Sequence, residues 1–403
     1  MHNPRWKAGG RAFAHIAQFH PELTALRRDL HRHPELGFEE LRTSALVAEK
    51  LSEWGYAVTR GLGGTGVVGQ LRRGTGQRRL GLRADMDALP ITEATGLLHA
   101  SCHAGLMHAC GHDGHTAMLL AAAHHLAKHG QFSGTLNLIF QPAEEGLGGA
   151  RKMMEDGLFE RFPCDAIFAM HNMPGHPPGH LLFRSGAFMA SSENITITLH
   201  GVGGHGALPH HSADPVVAGA AIVMGLQSIV ARNVPPLQMA VITVGAFQAG
   251  EANNVIPQTA TLKLSVRSLN RDVRELLNRR IRELVESQAH SYGVRADIDF
   301  RGGYPVLVNT PAETEFARQI GRELVGSDHI TEQAEPLTGS EDFAFMLEDI
   351  PGSYLLIGNG DAATGGHGAC MVHNPNYDFE DRNIAVGSAY WVRLAERFLD
   401  GTS

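Results

Sequence analysis

Helical and strand periods alternate along the first half of the chain. Leucines recur at spacings of three and four within Pro21–His33, which predicts a helix there. The same spacing predicts a second helix, a third and longer helix is predicted to end before Gly130, and short apolar runs predict four strands. The helices are Phe38–Trp54 and Asp113–His129, and the strands are Val67–Leu71, Arg79–Ala84, Thr135–Phe140 and Ala166–Met170. Strands that alternate with helices indicate an α/β domain with a largely parallel sheet.

The pattern changes near Ser191, because two of the strands predicted after it alternate between apolar and polar positions. Four strands and two helices follow in the order strand, helix, strand, strand, helix, strand. They are Asn194–Leu199, Asp214–Arg232, Met239–Val244, Thr259–Arg267, Asp272–His290 and Arg295–Phe300. This order predicts a small, open-faced α+β sandwich of the ferredoxin-like kind.

The α/β pattern returns after Tyr304. It predicts the helices Ala312–Val325 and Ile384–Leu399, with a strand over Ser353–Ile357 between them. The small module is therefore inserted into the larger domain. We predict an α/β domain formed by residues 1–189 and 305–403, and an inserted domain formed by residues 190–304.

Charge and composition exclude several classes of protein. The 403 residues include 34 Lys and Arg against 42 Asp and Glu, so the formal net charge is −8. This mildly acidic balance argues against a general nucleic-acid binder and against a polybasic membrane-surface protein. With 43% hydrophobic and 19% charged residues, the chain can bury a core and is not disordered throughout.

The cysteines and the apolar stretches indicate a soluble, cytoplasmic protein. Four cysteines are too few for a disulfide framework in a chain of this length. The N-terminus lacks the apolar core of a signal peptide. The most apolar stretch that we find, Ala117–Ala123, is too short to cross a membrane. We expect no nucleic-acid and no membrane partner.

The densest group of metal-binding residue types precedes and begins the long helix. It contains His108, Cys110, His112 and His115. Cys110 and His112 are separated by one residue, which is not the spacing of a structural zinc finger. They could supply two ligands to an open, catalytic metal site. The alternative is a buried cysteine with histidines that cap the helix.

Three further groups contain residue types that bind metal ions or transfer protons. Glu144 and Glu145 follow one predicted strand and His171 follows another, where ligands of open α/β sheets gather. Two adjacent glutamates can divide the roles of metal ligand and general base. His373 lies in a polar loop before the last helix. Taken singly, these residues are equally consistent with a solvated loop, a structural histidine and a capping loop.

Two aspartates and one histidine complete the candidates. Asp85 and Asp87 lie two residues apart at a strand end, where they could bind metal or hold a ligand imidazole by a hydrogen bond. His205 lies on a glycine-rich loop of the inserted domain, where a solvent-exposed turn is the alternative.

The pattern Gly61-x-Gly63-x-x-Gly66 precedes a strand instead of opening a helix, which argues against dinucleotide binding. The Gly-x-Ser-x-Gly and P-loop motifs are absent from the sequence.

Eight segments in order make the chain resemble one family. They are RADMDALP, MHACGHDGHTAML, FQPAEEG, His171–Asn172, GGHGALPH, NVIP, GSEDF and HNP. The sequence is similar to the metal-dependent amidohydrolases that include hippurate hydrolase, aminoacylases and indole-acetyl-amino-acid hydrolases. The resemblance implies a zinc-peptidase-like catalytic domain with an inserted lid and dimerisation domain.

The resemblance also implies roles for individual residues. The positions that match the family's metal ligands are Cys110, His112, Glu145, His171 and His373. Glu144 matches the general base, and His205 matches a lid histidine that reaches the partner subunit's active site in such dimers. Asp87 would support a ligand, and Asn254 would face the substrate. Many relatives have His-x-Asp where this chain has Asp85-Met-Asp87, so the role of Asp85 stays open.

The implied activity is hydrolysis of the amide bond of N-acyl-amino acids. It would use two divalent ions per subunit (Mn, Zn, Ni or Co), bridged by Cys110, in a homodimer or homotetramer. A dipeptidase or carboxypeptidase of the same family is one alternative. A catalytically silent, dimeric metal-binding scaffold is the other, although binding alone needs no general base beside Glu145. Arg267 and Arg393 are both available for the substrate's carboxylate.

Overall fold

The computed structural model describes residues 10–401, which form two compact units. The larger unit comprises the described residues up to Gly186, Val308–Glu335 and the described residues from Phe345 onward. The smaller unit comprises Ala187–Leu307 and Pro336–Ala344. The segment Pro336–Ala344 thus groups with the smaller unit, although the predicted boundaries place it in the larger domain. The domain boundaries and the lid role stay predictions.

Eleven helices and sixteen strands lie within the described residues. The helices are α1 (Gly10–Gln18), α2 (His20–Arg32), α3 (Leu41–Glu53), α4 (His112–His129), α5 (Gly149–Glu155), α6 (Leu158–Arg161), α7 (Pro215–Asn233), α8 (Arg271–Ser291), α9 (Pro311–Val325), α10 (Phe343–Asp349) and α11 (Asn383–Asp400). The strands are β1 (Ala57–Leu62), β2 (Gly66–Arg73), β3 (Arg79–Asp85), β4 (Gly134–Gln141), β5 (Ala166–Pro174), β6 (Leu181–Leu182), β7 (Gly186–Met189), β8 (Ser191–His200), β9 (Gly204–His205), β10 (Ala240–Ala249), β11 (Val255–Ile256), β12 (Thr259–Ser268), β13 (Arg295–Phe300), β14 (Leu307–Asn309), β15 (Ile330–Thr331) and β16 (Gly352–Gly360).

An eight-stranded sheet forms the centre of the larger unit, in the order β1-β2-β4-β3-β5-β16-β6-β15. The four central strands β4, β3, β5 and β16 are mutually parallel, whereas β1 and β2 join antiparallel at one edge. The central strands are buried over almost their whole length, and α4 and α11 pack on each other and on β3. The predicted α/β fold with a mostly parallel sheet is therefore confirmed.

The smaller unit has a four-stranded antiparallel sheet in the order β10-β12-β8-β13. Along the chain its elements follow the predicted order β8, α7, β10, β12, α8, β13. Alternate residues of β8 and β12 pack against α7 and α8, and residues such as Ile197, Ile222 and Leu277 are fully buried there. The period-two pattern of these strands arises because only one face of the sheet is covered.

Helix α7 changes one expectation from the sequence. By length and composition it is apolar enough to cross a membrane, and it is longer than the stretch Ala117–Ala123 that we singled out. One side of α7, including Ala218, Ile222 and Leu226, belongs to the buried core of the smaller unit. Core packing therefore accounts for part of its apolar composition.

A buried guanidinium connects three segments of the larger unit. Arg27 on α2 is fully buried, and its Nε lies 2.8 Å from Oδ2 of Asp113 at the start of α4. It also pairs with Asp378 and Asp381, which precede α11. Burial disfavours the charge of Arg27, but these carboxylates outweigh burial and raise its pKa. His31, one turn further along α2, contacts the same Asp113 at 2.8 Å.

We expect Arg27→Met to lower the free energy of unfolding by about 3–5 kcal/mol, because it leaves the Asp113 carboxylate buried without its cation. The adjacent residue Arg28 provides a matched control, since its side chain is 48% exposed and pairs with Asp381. Arg28→Met should cost less than about 1 kcal/mol. Urea unfolding of the full chain measures both, and equal losses would contradict a central role for the buried guanidinium.

Candidate metal centre

The sheet topology brings the sequence candidates to one edge. Strands β3, β4 and β5 run parallel, so their carboxyl ends lie side by side. Asp85 ends β3, Glu144 and Glu145 follow β4, and His171 lies in the carboxyl-terminal half of β5. His112 begins α4, which connects β3 to β4. Most of the candidates therefore converge for topological reasons.

A tight turn at Gly111 places Cys110 and His112 next to each other. Gly111 has φ +85°, and a Cβ there would lie 2.3 Å from Oη of Tyr377 and 2.4 Å from Nδ2 of Asn172. Asn172 donates from Nδ2 to the carbonyl of Cys110 at 2.6 Å and accepts from the Tyr377 hydroxyl at 2.8 Å. The Asn172 amide thus fixes the turn that carries both candidate ligands.

Cys110, His112 and His171 form the buried part of the cluster. Their potential ligand atoms all lie within 4.8 Å of one another. Nδ1 of His171 donates to the carbonyl of Asn172 at 2.6 Å, so the lone pair of its Nε2 faces Sγ of Cys110 at 3.3 Å. Burial, with the nearby His115, holds the pKa of His171 well below its usual value. The ring is therefore a neutral donor of a lone pair.

Asp87 holds both His112 and Glu145. Its Oδ1 accepts from Nδ1 of His112 at 3.1 Å, and its Oδ2 accepts from the backbone N–H of Glu145 at 2.9 Å. Nε2 of His112 is buried and has no hydrogen-bond partner within the described part of the chain. A buried, unpartnered nitrogen beside a thiol and carboxylates is the position where a metal ion fits.

Glu145 and His373 form the outer part of the cluster. Nε2 of His373 lies 3.1 Å from Oε1 of Glu145, and both side chains lie within reach of Cys110. His373 has φ +66°, and its backbone N–H donates to the carbonyl of Ala109 at 2.8 Å. Burial alone would raise the pKa of Glu145, but the bond from His373 and the charge of His112 lower it.

Glu144 is buried beside its neighbour. Its carboxylate, that of Glu145 and a ring nitrogen of His112 all lie within 4.8 Å of one another. Two adjacent glutamates therefore face the same cluster, because the preceding residue, Ala143, adopts φ +53° and turns the chain. A base and a ligand supplied by consecutive residues are compatible with this geometry.

The electrostatics of the cluster favour a cation. Burial disfavours the imidazolium form of His112, but Asp85 and Asp87 outweigh burial and raise its pKa to about 10. Burial and the charges of Glu145 and Glu144 raise the pKa of the Cys110 thiol well above its usual value. A divalent ion would neutralise these carboxylates and stabilise the thiolate. Sulfur, imidazole and carboxylate donors suit Zn, Co or Ni, and the carboxylates also tolerate Mn.

Asp85 and two histidines of the dense group have other partners. Asp85 accepts from Nη1 of Arg83 at 2.8 Å through Oδ2, and from Nδ1 of His115 at 2.6 Å through Oδ1. Nε2 of His115 accepts from the backbone N–H of Asn172 at 2.9 Å, so its lone pair is already used. His108 is buried outside the cluster, and burial lowers its pKa to about 4. In the structure Asp85 therefore binds and orients the ring of His115, whereas the sequence alone left the role of Asp85 open.

His205 and Asn254 come together in the smaller unit. Strands β9 and β11 pair His205 with Val255, and the backbone N–H of Gly206 donates to the carbonyl of Asn254 at 2.8 Å. Nδ1 of the exposed His205 ring accepts from the backbone N–H of Ala207 at 3.0 Å. The neutral ring therefore carries its proton on Nε2, where it can donate a hydrogen bond.

Sequence reasoning missed the residues that hold the candidate ligands in place. In the sequence motifs Asn172 appears only as the neighbour of His171, and Tyr377 is not among the candidates. Their contacts join residues more than 60 positions apart, with a separation of 205 for Tyr377 and Asn172. The proximity of Asn172 to His171 was the one local signal.

Comparison with known proteins identifies the family. The family model described as peptidase family M20/M25/M40 matches residues 81–397. A hippurate hydrolase of Campylobacter jejuni is 43% identical over 95% of this chain and 98% of its own length. Thermostable carboxypeptidase 1 of Saccharolobus solfataricus is 37% identical over 93% of this chain and 95% of its own length.

A solved structure gives the same result. The crystal structure of a dinuclear metal-binding peptidase of the M20 family from Bacillus subtilis superposes with a TM-score of 0.80. It is 34% identical, over 95% of this chain and 99% of that one. The resemblance found in the sequence is thereby confirmed, and the chain belongs to peptidase family M20/M25/M40, in which it is an amidohydrolase.

Proposed function

We propose that this protein hydrolyses the amide bond of N-acyl-amino acids, as the name of its relative hippurate hydrolase suggests. One observation carries the proposal. The five side chains expected to bind metal (Cys110, His112, Glu145, His171 and His373) lie in one cluster, and the Glu144 carboxylate lies beside them. Such a cluster with a further carboxylate beside it has the parts needed for metal-assisted hydrolysis.

The proposed cofactor is a pair of divalent ions per subunit (Mn, Zn, Ni or Co). The unpartnered Nε2 of His112 and the carboxylates around it support this proposal. When bound, the ions polarise the scissile carbonyl and increase the acidity of water. Cys110 belongs to two groups of potential ligands, one with His112 and His171 and one with Glu145 and His373, so its thiolate would help to hold both ions.

Glu144 is the proposed general base. It accepts the proton of the attacking water as the water oxygen adds to the amide carbon. It then returns that proton to the amide nitrogen, so that the C–N bond breaks and the amine leaves neutral. Burial of Glu144 beside Glu145 keeps the proton acceptor close to the reacting atoms and away from bulk water.

His205 is the proposed donor to the developing oxyanion. The bond from Ala207 to its Nδ1 leaves the proton on Nε2, as this role requires. We propose that His205 acts on the active site of the partner subunit, with Asn254 near the substrate. The link between the β9 and β11 backbones supports a shared role for the two residues.

Arg267 is the proposed partner of the substrate's α-carboxylate. Burial lowers its pKa, and the one hydrogen bond of its guanidinium within the described chain goes to Oγ of Ser340 at 2.9 Å. In contrast, Nε and Nη2 of Arg393 both donate to Oε2 of Glu323, at 3.1 and 2.5 Å. A half-buried guanidinium that pairs with no carboxylate in the described chain can bind the carboxylate of a substrate. The guanidinium of Arg393 is already paired with the carboxylate of Glu323.

We also propose a cytoplasmic homodimer or homotetramer that assembles through the smaller unit. Helix α7 exposes Val217 and Met224, and the edge strand β10 exposes Val241 and Phe247. An apolar helix beside an unpaired strand edge suits contact with a second copy of the chain. Analytical ultracentrifugation distinguishes these states, and a monomer would contradict the assembly.

A carboxypeptidase of the same family is the second candidate function. It is favoured by the 37% identity to thermostable carboxypeptidase 1 over most of both chains. The chemistry at the metal centre would be the same, because the C-terminal peptide bond of a peptide is also an amide beside a free α-carboxylate. The catalytically silent scaffold stays the third hypothesis, and it leaves the position of Glu144 unexplained.

The function is tested by amine release from N-benzoyl-, N-acetyl- and indole-acetyl-amino acids and from dipeptides. Chelated protein is compared with protein given Mn, Zn, Co or Ni. We expect metal-dependent release from the acyl-amino acids, with chelated protein inactive. Release from dipeptides alone would favour the carboxypeptidase. Silence across the panel in protein with two metal ions bound would contradict hydrolysis of these substrates.

The two neighbouring glutamates should behave differently on substitution. Glu144→Gln should lower turnover by about 10²- to 10⁴-fold with metal content unchanged, because only the base is lost. Glu145→Gln should lose metal as well as turnover. His205→Ala should lower turnover with metal content unchanged. Metal analysis alongside initial rates checks all three, and equal metal loss in both glutamate variants would show that the division of roles is wrong.

Arg267→Met should raise KM for acyl-amino acids by about 10- to 100-fold, which corresponds to loss of a charge-assisted hydrogen bond. Arg393→Met is the matched control, and its KM should stay close to that of the wild type. Substrate analogues whose α-carboxylate is amidated should bind the wild type and Arg267→Met equally weakly. An unchanged KM in Arg267→Met would remove Arg267 from the substrate site.

A further inference from the structure

A second buried glutamate, Glu40, contacts the segment that carries the proposed base. It lies immediately before α3, its side chain is fully buried, and its Oε1 accepts from the backbone N–H of Ala143 at 2.8 Å. Its Oε2 accepts from the hydroxyl of Thr65. Burial raises the pKa of Glu40 to about 7, although both hydrogen bonds lower it. Burial of a carboxyl group costs free energy, so its presence at this site indicates a specific role.

Capping of the neighbouring helix is not that reason. Glu40 occupies the N-cap position of α3, but its side chain makes no capping hydrogen bond. The carboxylate of Glu35 performs this task, since it accepts from the backbone N–H groups of Arg42 and Thr43, both at 2.8 Å. The carboxylate of Glu40 is instead directed at a residue 103 positions away.

The backbone of Ala143 adopts an unfavourable conformation that its neighbours stabilise. Its φ of +53° is left-handed, which is unfavourable for any residue with a Cβ. Glu40 binds its N–H, the backbone N–H of Gly149 donates to its carbonyl at 3.0 Å, and a Cβ on Gly37 would lie 2.9 Å from its Cα. The turn at Ala143 is therefore constrained from three sides, immediately before Glu144.

We propose that Glu40 is a positioning residue for hydrolysis: its hydrogen bond to Ala143 holds the left-handed turn that aims Glu144 at the reacting water. The inference rests on the proposed role of Glu144 as general base. Loss of the bond lets the Ala143 peptide relax toward an ordinary backbone conformation, which shifts the carboxylate of Glu144. Binding of the substrate, which depends on other groups, changes little.

The test compares three variants of the full-length, metal-loaded protein. Glu40→Ala should lower kcat by about 100-fold with little change in KM, because a misplaced catalytic group costs turnover. Glu40→Gln should retain most of kcat, since its amide oxygen can accept the same bond. Glu40→Asp keeps the carboxyl group but shortens the side chain, so it should also lower kcat, and it serves if the alanine variant does not fold.

Glu35→Ala is the matched control, because it removes a carboxylate that accepts backbone N–H bonds in the same segment. It should lower the unfolding temperature while leaving kcat unchanged. Hydrogen exchange of the Ala143 amide, followed by mass spectrometry, gives a second readout that does not depend on activity. Exchange should accelerate in Glu40→Ala and Glu40→Asp, and it should stay slow in Glu40→Gln and Glu35→Ala.

The outcomes separate the inference from the function on which it rests. If Glu144→Gln lowers turnover but Glu40→Ala and Glu40→Asp match Glu35→Ala in kcat, the positioning role is overturned. Unchanged exchange of the Ala143 amide in the Glu40 variants would overturn it too. If Glu144→Gln itself keeps wild-type turnover, the proposed base is wrong, and Glu40 then has no base to position.

Discussion

The Asp87 carboxylate is the constraint on which the arrangement of the metal centre depends. One oxygen binds Nδ1 of His112 and the other binds the backbone of Glu145, so a single side chain sets two candidate ligands from different segments. Because Nδ1 is occupied, Nε2 of His112 must face the cluster. The pairs Asp85–His115 and Asn172–Cys110 extend this principle, since each buried polar group there orients the next.

Charge balance in the interior explains why such a site is stable. The buried guanidinium of Arg27 forms ion pairs with Asp113, Asp378 and Asp381. The buried guanidinium of Arg83 forms an ion pair with Asp85. Within the cluster itself, carboxylates outnumber the cations of the protein. Burial together with these carboxylates raises the pKa of Cys110, and the carboxylates raise the pKa of His112 against the effect of burial. A divalent ion is the charge that completes this balance, so metal binding and local folding support each other.

Sequence patterns identified the elements and the cluster residues because both follow local rules. Strand periods located β3, β4 and β5, and parallel strands necessarily bring the residues at their carboxyl ends together. The pattern placed the start of α3 at Phe38, but Phe38 has φ +67° and the helix begins at Leu41. Arg27, Tyr377 and Glu40 were not recognised, because their partners lie far away in sequence and leave no periodic signal. The edge strand β1 was missed because only Leu62 of it is buried.

The central claim is that Cys110 and the surrounding imidazoles bind metal directly. X-ray absorption at the zinc edge of zinc-loaded protein tests it most directly. We expect a sulfur scatterer at about 2.3 Å together with nitrogen and oxygen scatterers at about 2.0–2.2 Å, and loss of the sulfur shell in Cys110→Ser. A first shell of nitrogen and oxygen alone in the unaltered protein, with two zinc ions bound, would contradict it.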